Sequence, residues 1–177
     1  KLVDFNEESA MSPKLKSALK GAAKTKMKTK TGTPDFHVEK YVDRYKVPVI
    51  IEDKLKLNKL VAQTKDGLKF DYNSVNSFAV NGAIHYSRKV IDSGKYNEVI
   101  AIGIAGDNAE NVAIKVYYVF GSAENAHKEV TTVTTLDFLE NEKTFAEFYN
   151  EAKLSEEDKH QILIDSQATL QHYAKKL

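Results

Sequence analysis

The chain has 177 residues, 42% of them hydrophobic, which is enough for a globular core, and no apolar stretch approaches the ~18 residues that span a membrane. No cysteine is present, which excludes disulfides and thiolate metal sites and favours a cytoplasmic location. The net charge of +1 hides an uneven distribution, because seven lysines lie between Lys14 and Lys30 with no acid among them.

The N-terminal part of the chain predicts a helix followed by a basic loop. Ser12 and Pro13 suit the N-cap and the first position of a helix, and apolar residues then recur at helical spacing until about Gly21. The next segment, Lys24 to Thr33, is low in complexity and poor in apolar residues. This composition is typical of a mobile loop.

Two strands and a long helix are predicted next. The segments PDFHVEKY (34–41) and VPVIIEDK (47–54) are rich in β-forming residues and are separated by the polar pair Asp43-Arg44. Residues 55–70 are irregular, with a short helical turn. Apolar residues fall on one face of a helix from Asp71 to Asp92, which Ser93-Gly94 ends.

The second half of the chain predicts a sheet followed by helices. The continuous apolar run EVIAIGIAG is typical of a central strand that is covered on both faces. The predicted elements are strands at 98–106, 111–121 and 131–135, a turn at 106–108, and helices at 144–153 and 155–175. Their order predicts a mixed three-layer α/β domain. The sequence contains no phosphate-binding glycine motif that would favour a dinucleotide-binding fold.

An acidic pair and a lysine are predicted to meet at the ends of the first two strands. If these strands form an antiparallel hairpin around the polar pair, Asp35 faces Glu52, with their Cβ atoms about 4.5–5.5 Å apart. Lys54 lies two residues beyond Glu52 and therefore on the same face. Two carboxylates with a nearby cation suit Mg²⁺ and phosphodiester hydrolysis, in which the lysine orients the attacking water. The alternative is that Glu52, Asp53 and Lys54 are only the solvated end of a strand.

The spacing of these residues resembles the PD-(D/E)xK nuclease signature: Pro34-Asp35, sixteen intervening residues, then Glu52-Asp53-Lys54. The flanking segments LKGAAKTKMKTKTGTPDF and FAVNGAIHYSRKVIDSGKYNEVIAIGIAGD resemble the N-terminal nuclease domains of restriction–modification proteins that carry an adenine-specific DNA methyltransferase. The resemblance covers roughly Lys14 to Phe120. It implies a restriction-endonuclease-like mixed sheet flanked by helices, with a nuclease domain at 1–140 and a helical extension or linker at 141–177.

The resemblance also implies roles for particular residues. Asp35 and Glu52 would bind Mg²⁺, with Mn²⁺ able to substitute, and Lys54 would assist the attacking water. Many members supply a further acid from the first helix, for which Glu7 and Glu8 are the candidates and Glu8 is preferred. Some relatives carry a Gln-x-x-x-Tyr element on a later helix. Here Tyr86 is in the corresponding place, but Gly82 stands where glutamine would be, which argues against a close match to that branch.

The expected partner is double-stranded DNA, together with a downstream methyltransferase or helicase domain and a transient homodimer for double-strand cleavage. Salt-sensitive contacts to DNA phosphates are expected from basic residues of the loop and of the segment after the motif. These lysines are Lys26, Lys28, Lys30, Lys56 and Lys59.

His37 points to the same side as Asp35, although a packed strand histidine is the simpler reading. The alternative functions are a catalytically inactive nucleic-acid-binding or docking module of the same fold, and an unrelated α/β interaction domain.

Overall fold

The computed structural model describes residues 10–25, 30–154 and 156–176, and over these ranges it contains two β-sheets and six α-helices. The strands are β1 (Phe36–Val38), β2 (Val49–Lys54), β3 (Gln63–Thr64), β4 (Gly67–Leu68), β5 (Val99–Asn108), β6 (Asn111–Val119) and β7 (His127–Glu129). The helices are α1 (Pro13–Ala18), α2 (Val42–Tyr45), α3 (Tyr72–Ser77), α4 (Ala79–Asp92), α5 (Glu142–Lys153) and α6 (Glu156–Ala174).

The main sheet has five strands in the order β1-β2-β5-β6-β7, while β3 and β4 form a separate small hairpin. Strands β2 and β5 are parallel, and every other neighbouring pair is antiparallel. A parallel pair needs a long crossover connection, and here α3 and α4 lie within it. The predicted mixed α/β fold, a restriction-endonuclease-like mixed sheet flanked by helices, is confirmed.

Each face of the sheet is covered by helices, because alternate residues of its strands point to opposite sides. Ile50 packs with α1 and α4 on one face, whereas Val49 and Ile51 pack with α5 on the other. All three side chains are fully buried. The even-numbered residues of β2 therefore face α1 and α4, and this is the face that carries Glu52 and Lys54.

Helix α4 lies unusually close to the sheet at Gly103 of β5. A Cβ atom at Gly103 would stand 2.5 Å from Cγ2 of Val80 and 2.6 Å from its backbone nitrogen, which is closer than any side chain permits. Gly103 is also the parallel partner of Glu52. The absence of a side chain at this position therefore brings the first turn of α4 down beside the Glu52 carboxylate.

The predicted helix from Asp71 to Asp92 is interrupted, which corrects the sequence reading. Phe78 has an extended backbone with φ −124° and ψ 135°, so it ends α3 and serves as the N-cap residue of α4. The Val80 amide then donates a hydrogen bond to the Leu60 carbonyl at 2.9 Å. This tertiary contact replaces a hydrogen bond of a continuous helix, and periodicity along the chain does not detect it.

Other predicted boundaries also need correction. The strand predicted at 131–135 is wrong: the edge strand is β7, at His127–Glu129, and 131–135 is irregular. The turn predicted at 106–108 is part of β5, which continues to Asn108 before the chain reverses. The irregular segment 55–70 contains the β3–β4 hairpin in addition to a 3-10 turn, Leu57–Lys59.

Helix α5 packs against the sheet, whereas α6 does not. Phe145, Phe148 and Tyr149 of α5 are buried in the same cluster as β2, β5 and β6. In contrast, the large apolar side chains of α6, such as Ile164 and Leu170, are exposed. Close packing thus continues past residue 140 to the end of α5. The division of the chain into a nuclease domain at 1–140 and a helical extension at 141–177 remains a prediction. None of the helices described is both long and apolar enough to cross a membrane.

Replacing Phe145 should strongly destabilise the protein, because this fully buried ring stacks on Tyr41 with centroids 4.1 Å apart. We expect Phe145→Ala to lower the free energy of unfolding by about 3–5 kcal/mol, the usual effect of deleting a buried aromatic ring. Chemical denaturation followed by circular dichroism measures this difference. Leu170→Ala, in the exposed helix α6, is the control and should change it by less than ~0.5 kcal/mol. Equal effects of the two substitutions would exclude α5 from the core.

Candidate functional site

The predicted hairpin register is confirmed. Strands β1 and β2 pair antiparallel with Phe36 opposite Ile51, so that Asp35, one residue earlier, faces Glu52. The Asp35 amide donates a hydrogen bond to Oε1 of Glu52 at 3.3 Å, and the Asp53 amide donates one to Oδ2 of Asp35 at 3.0 Å. Each acid is thereby held by the backbone of the opposite strand. The connection between the two strands differs from the prediction, because it contains the short helix α2 instead of a simple polar turn.

Glu52 is the buried centre of this site. The residue is 1% exposed, on the face of the sheet that α4 covers. Lys54 lies on the same face, as predicted, with Nζ 3.9 Å from Oε2 of Glu52. Asp35 is exposed to solvent, so the pair combines a buried carboxylate with an accessible one.

A second lysine, Lys24, reaches the same carboxylate and was not predicted to do so. Its Nζ forms an ion pair with Oε2 of Glu52 and lies 4.7 Å from the centre of the Tyr86 ring. Burial raises the pKa of Glu52, and the neighbouring Lys24 ammonium opposes this effect. Burial likewise lowers the pKa of Lys24, while Glu52 opposes that shift. Each group thus offsets part of the desolvation of the other.

Gly82 and Tyr86 lie one turn apart on α4, on either side of Lys24. A Cβ atom at Gly82 would stand 2.6 Å from Nζ of Lys24 and 3.0 Å from Oε2 of Glu52. The missing side chain at position 82 therefore leaves the space that the Lys24 head group fills. Where the resemblance leads one to expect glutamine, this chain places a glycine and brings a lysine from another segment.

The carboxylates at this site provide some, but not all, of the ligands that a hard cation such as Mg²⁺ needs. Asp35 and Glu52 offer carboxylate oxygens from opposed positions, and Mg²⁺ commonly takes one or two protein carboxylates and completes its shell with water and phosphate oxygens. Within the described ranges, no group of three or more His, Cys, Asp or Glu side chains is arranged to hold a metal ion. The candidates for a further acid, Glu7 and Glu8, lie outside those ranges.

The lysines predicted to bind DNA are not gathered around Glu52. Lys30 and Lys56 are exposed, and Lys59 is half-buried with its Nζ 4.8 Å from the centre of the Phe78 ring. Lys26 and Lys28 lie outside the described residues. From the sequence, Lys24 belongs to this basic loop, because a run of lysines gives no sign of which one points into the protein.

Two histidines near the site, His37 and His85, make contacts that support the fold. His37 lies opposite Ile50, on the same side as Asp35, and is fully buried with Nε2 3.3 Å from Oε2 of Glu39, so it is a packed strand histidine. His85 on α4 donates a hydrogen bond from Nε2 to the Ala22 carbonyl at 2.9 Å. Burial lowers the pKa of both rings, which favours their neutral forms. The His85 contact fixes the backbone two residues before Lys24.

In comparison with known proteins, the chain is similar in sequence to a restriction enzyme and methyltransferase. It is 33% identical over 162 residues to a type II restriction enzyme and methyltransferase, RM.BcgI of Heyndrickxia coagulans, and the match covers 87% of this chain. The chain spans 23% of the length of that relative. No protein-family model matches the chain, and no solved structure matches it significantly.

Acidification should weaken the fold partly through His37. Its pKa is lowered from 6.5 by burial, so below about pH 6.5 the unfolded chain binds a proton that the folded chain does not. The free energy of unfolding should then fall between pH 7.5 and pH 5.5, and this fall should be smaller in His37→Leu. Urea titrations at each pH measure it. His160→Leu, which removes an exposed histidine of α6, is the control; an identical pH dependence in all three proteins would contradict the assignment.

Proposed function

We propose that the chain is the Mg²⁺-dependent DNA endonuclease domain of a restriction–modification protein. The observation that carries the proposal is the β1–β2 register, which sets Asp35 opposite Glu52 and leaves Lys54 on the same face as Glu52. The sequence relationship to a restriction enzyme and methyltransferase supports the biological setting.

In this proposal each residue of the motif has a distinct role. Asp35 and Glu52 hold Mg²⁺, which when bound would lower the pKa of a water molecule and stabilise charge on the phosphoryl oxygens. Lys54 orients the attacking water and balances negative charge that develops during phosphodiester hydrolysis. The Asp53 and Asp35 amides keep the two carboxylates in place through their hydrogen bonds at 3.0 and 3.3 Å. Glu8 completes the metal shell, and Mn²⁺ substitutes for Mg²⁺.

The substrate in this proposal is double-stranded DNA. Lys30, Lys56 and Lys59, with Lys26 and Lys28, bind phosphates without reading sequence. Target recognition and methylation belong to a downstream methyltransferase or helicase domain of the same polypeptide or complex. A transient homodimer cuts both strands, and the protein acts in the cytoplasm.

One observation favours a second candidate function. Oxygen Oε2 of Glu52 is already paired with the Lys24 ammonium, an arrangement that neutralises the buried carboxylate without a metal. A catalytically inactive module that binds nucleic acid or docks a partner would need only this ion pair to keep its fold. The two functions differ in whether a divalent ion binds to Asp35 and Glu52.

Substitution of the motif residues separates the two functions. In an assay of supercoiled plasmid with Mg²⁺ or Mn²⁺, Asp35→Asn and Lys54→Met should lower the nicking rate by about 10²–10³-fold, because each removes a charge at the reacting phosphate. Asp43→Asn, at an exposed acid of α2, is the matched control and should cut normally.

Calorimetric titration with Mn²⁺ tests the same site without requiring cleavage by the isolated chain. The heat of binding should disappear in Asp35→Asn and in Glu52→Gln, since both substitutions keep the side-chain shape and remove the charged ligand. Metal binding that is equal in the wild type and in both variants would contradict the endonuclease assignment and favour the inactive module.

DNA affinity should depend on Lys56, which is exposed directly after the motif. If it neutralises one phosphate, Lys56→Ala should reduce the slope of log affinity against log salt by about 0.9. Fluorescence anisotropy with a labelled duplex at several salt concentrations measures this slope. Lys95→Ala is the matched control, because this exposed lysine precedes β5 and so lies at the opposite end of the parallel β2–β5 pair. An unchanged slope in Lys56→Ala would remove this residue from the DNA interface.

A further inference from the structure

Lys24 pairs with one of the two carboxylate oxygens that Glu52 could offer to a divalent ion. We propose that Lys24 is a further residue of the site, a tethered cation that pairs with Glu52 in the metal-free protein and must withdraw before the ion binds. This inference rests on the proposed function, since it assumes that Glu52 is a metal ligand. It makes metal binding an exchange of one cation for another on the same carboxylate.

The residues around the ion pair bury it and leave room for the Lys24 head group. The Lys24 side chain is 12% exposed and that of Glu52 is 2% exposed, so water screens their attraction only weakly. Gly82 leaves the volume that Nζ occupies, and the Tyr86 ring lies 4.7 Å from the ammonium. The His85 hydrogen bond to Ala22, at 2.9 Å, anchors the backbone from which Lys24 extends. Two contacts of Lys24, the space at Gly82 and the anchored backbone at Ala22 thus direct one lysine of a basic segment to this carboxylate.

Simultaneous binding of Lys24 and a metal ion to Oε2 is unfavourable for two reasons. Mg²⁺ binds carboxylate oxygens at about 2.0–2.1 Å and requires a nearly ideal octahedral shell, so an ammonium that already contacts the same oxygen competes with the other ligands of the ion for space. The two cations also repel each other strongly where burial limits screening. Lys54 does not have this conflict, because its Nζ lies 3.9 Å from Oε2.

The surroundings give Lys24 somewhere to move. The residue also lines an open cleft of about 680 Å³ beside α4, together with Asp71 and Asp92. A change of side-chain rotamer can carry the ammonium from Glu52 towards this cleft. Because Arg88 and Lys89 line the cleft together with the acids, it is solvent that receives the charge. The backbone contact at Ala22 need not change during this movement.

Calorimetric titration with Mn²⁺ at pH 8 tests the exchange. Removing the competing cation in Lys24→Met should tighten Mn²⁺ binding by at least about fivefold, the lower end of usual coupling between two ligands. Lys20→Met removes the charge of an exposed lysine near the end of α1 and is the matched control, with wild-type affinity.

A second measurement needs no variant. Acylation of lysines in the wild-type protein, followed by mass spectrometry, should label Lys24 slowly without metal and several-fold faster with saturating Mn²⁺, while Lys20 reacts at one rate throughout. Unchanged or weaker Mn²⁺ binding in Lys24→Met, or Lys24 labelling that does not rise with metal, would overturn the exchange. If binding persists in these experiments but is lost in Asp35→Asn, the endonuclease proposal stands. If no protein binds Mn²⁺, both proposals fall.

Discussion

The antiparallel register of β1 on β2 is the constraint on which the site depends. It sets Asp35 opposite Glu52, and each side chain accepts a hydrogen bond from the backbone of the other strand. A shift of β2 by one residue would turn Glu52 towards the face packed by α5 and Ile51 towards the face packed by α1 and α4, because side chains alternate along a strand. The buried apolar residues of β2 therefore hold the acidic pair in place.

Burial of Glu52 imposes the next requirement. An ionised carboxylate that is buried this deeply is costly unless a cation or hydrogen-bond donors accompany it. In the structure these partners are the Lys24 ammonium, the more distant Lys54 and the Asp35 amide. In the exchange that we propose, a divalent ion takes over from Lys24 the balancing of this buried charge.

Two glycines shape the space around that carboxylate. Gly103 lets α4 descend onto β5 beside Glu52, and Gly82 leaves room on α4 for the Lys24 head group. A residue with a Cβ atom at either position would collide with its neighbours at 2.5 to 3.0 Å. The departure from the expected Gln-x-x-x-Tyr element is therefore a local exchange, in which the volume of one side chain is replaced by that of another from a distant segment.

The sequence by itself determined the strands that carry the site, the hairpin register and the common face of Glu52 and Lys54, because alternation and spacing along neighbouring strands are local properties. Only the tertiary structure decided the break at Phe78, the edge strand His127–Glu129 and the inward course of Lys24. Each of these depends on a contact between segments far apart in the chain, such as Val80 with Leu60 or Lys24 with Glu52. No periodicity within a single segment records such contacts.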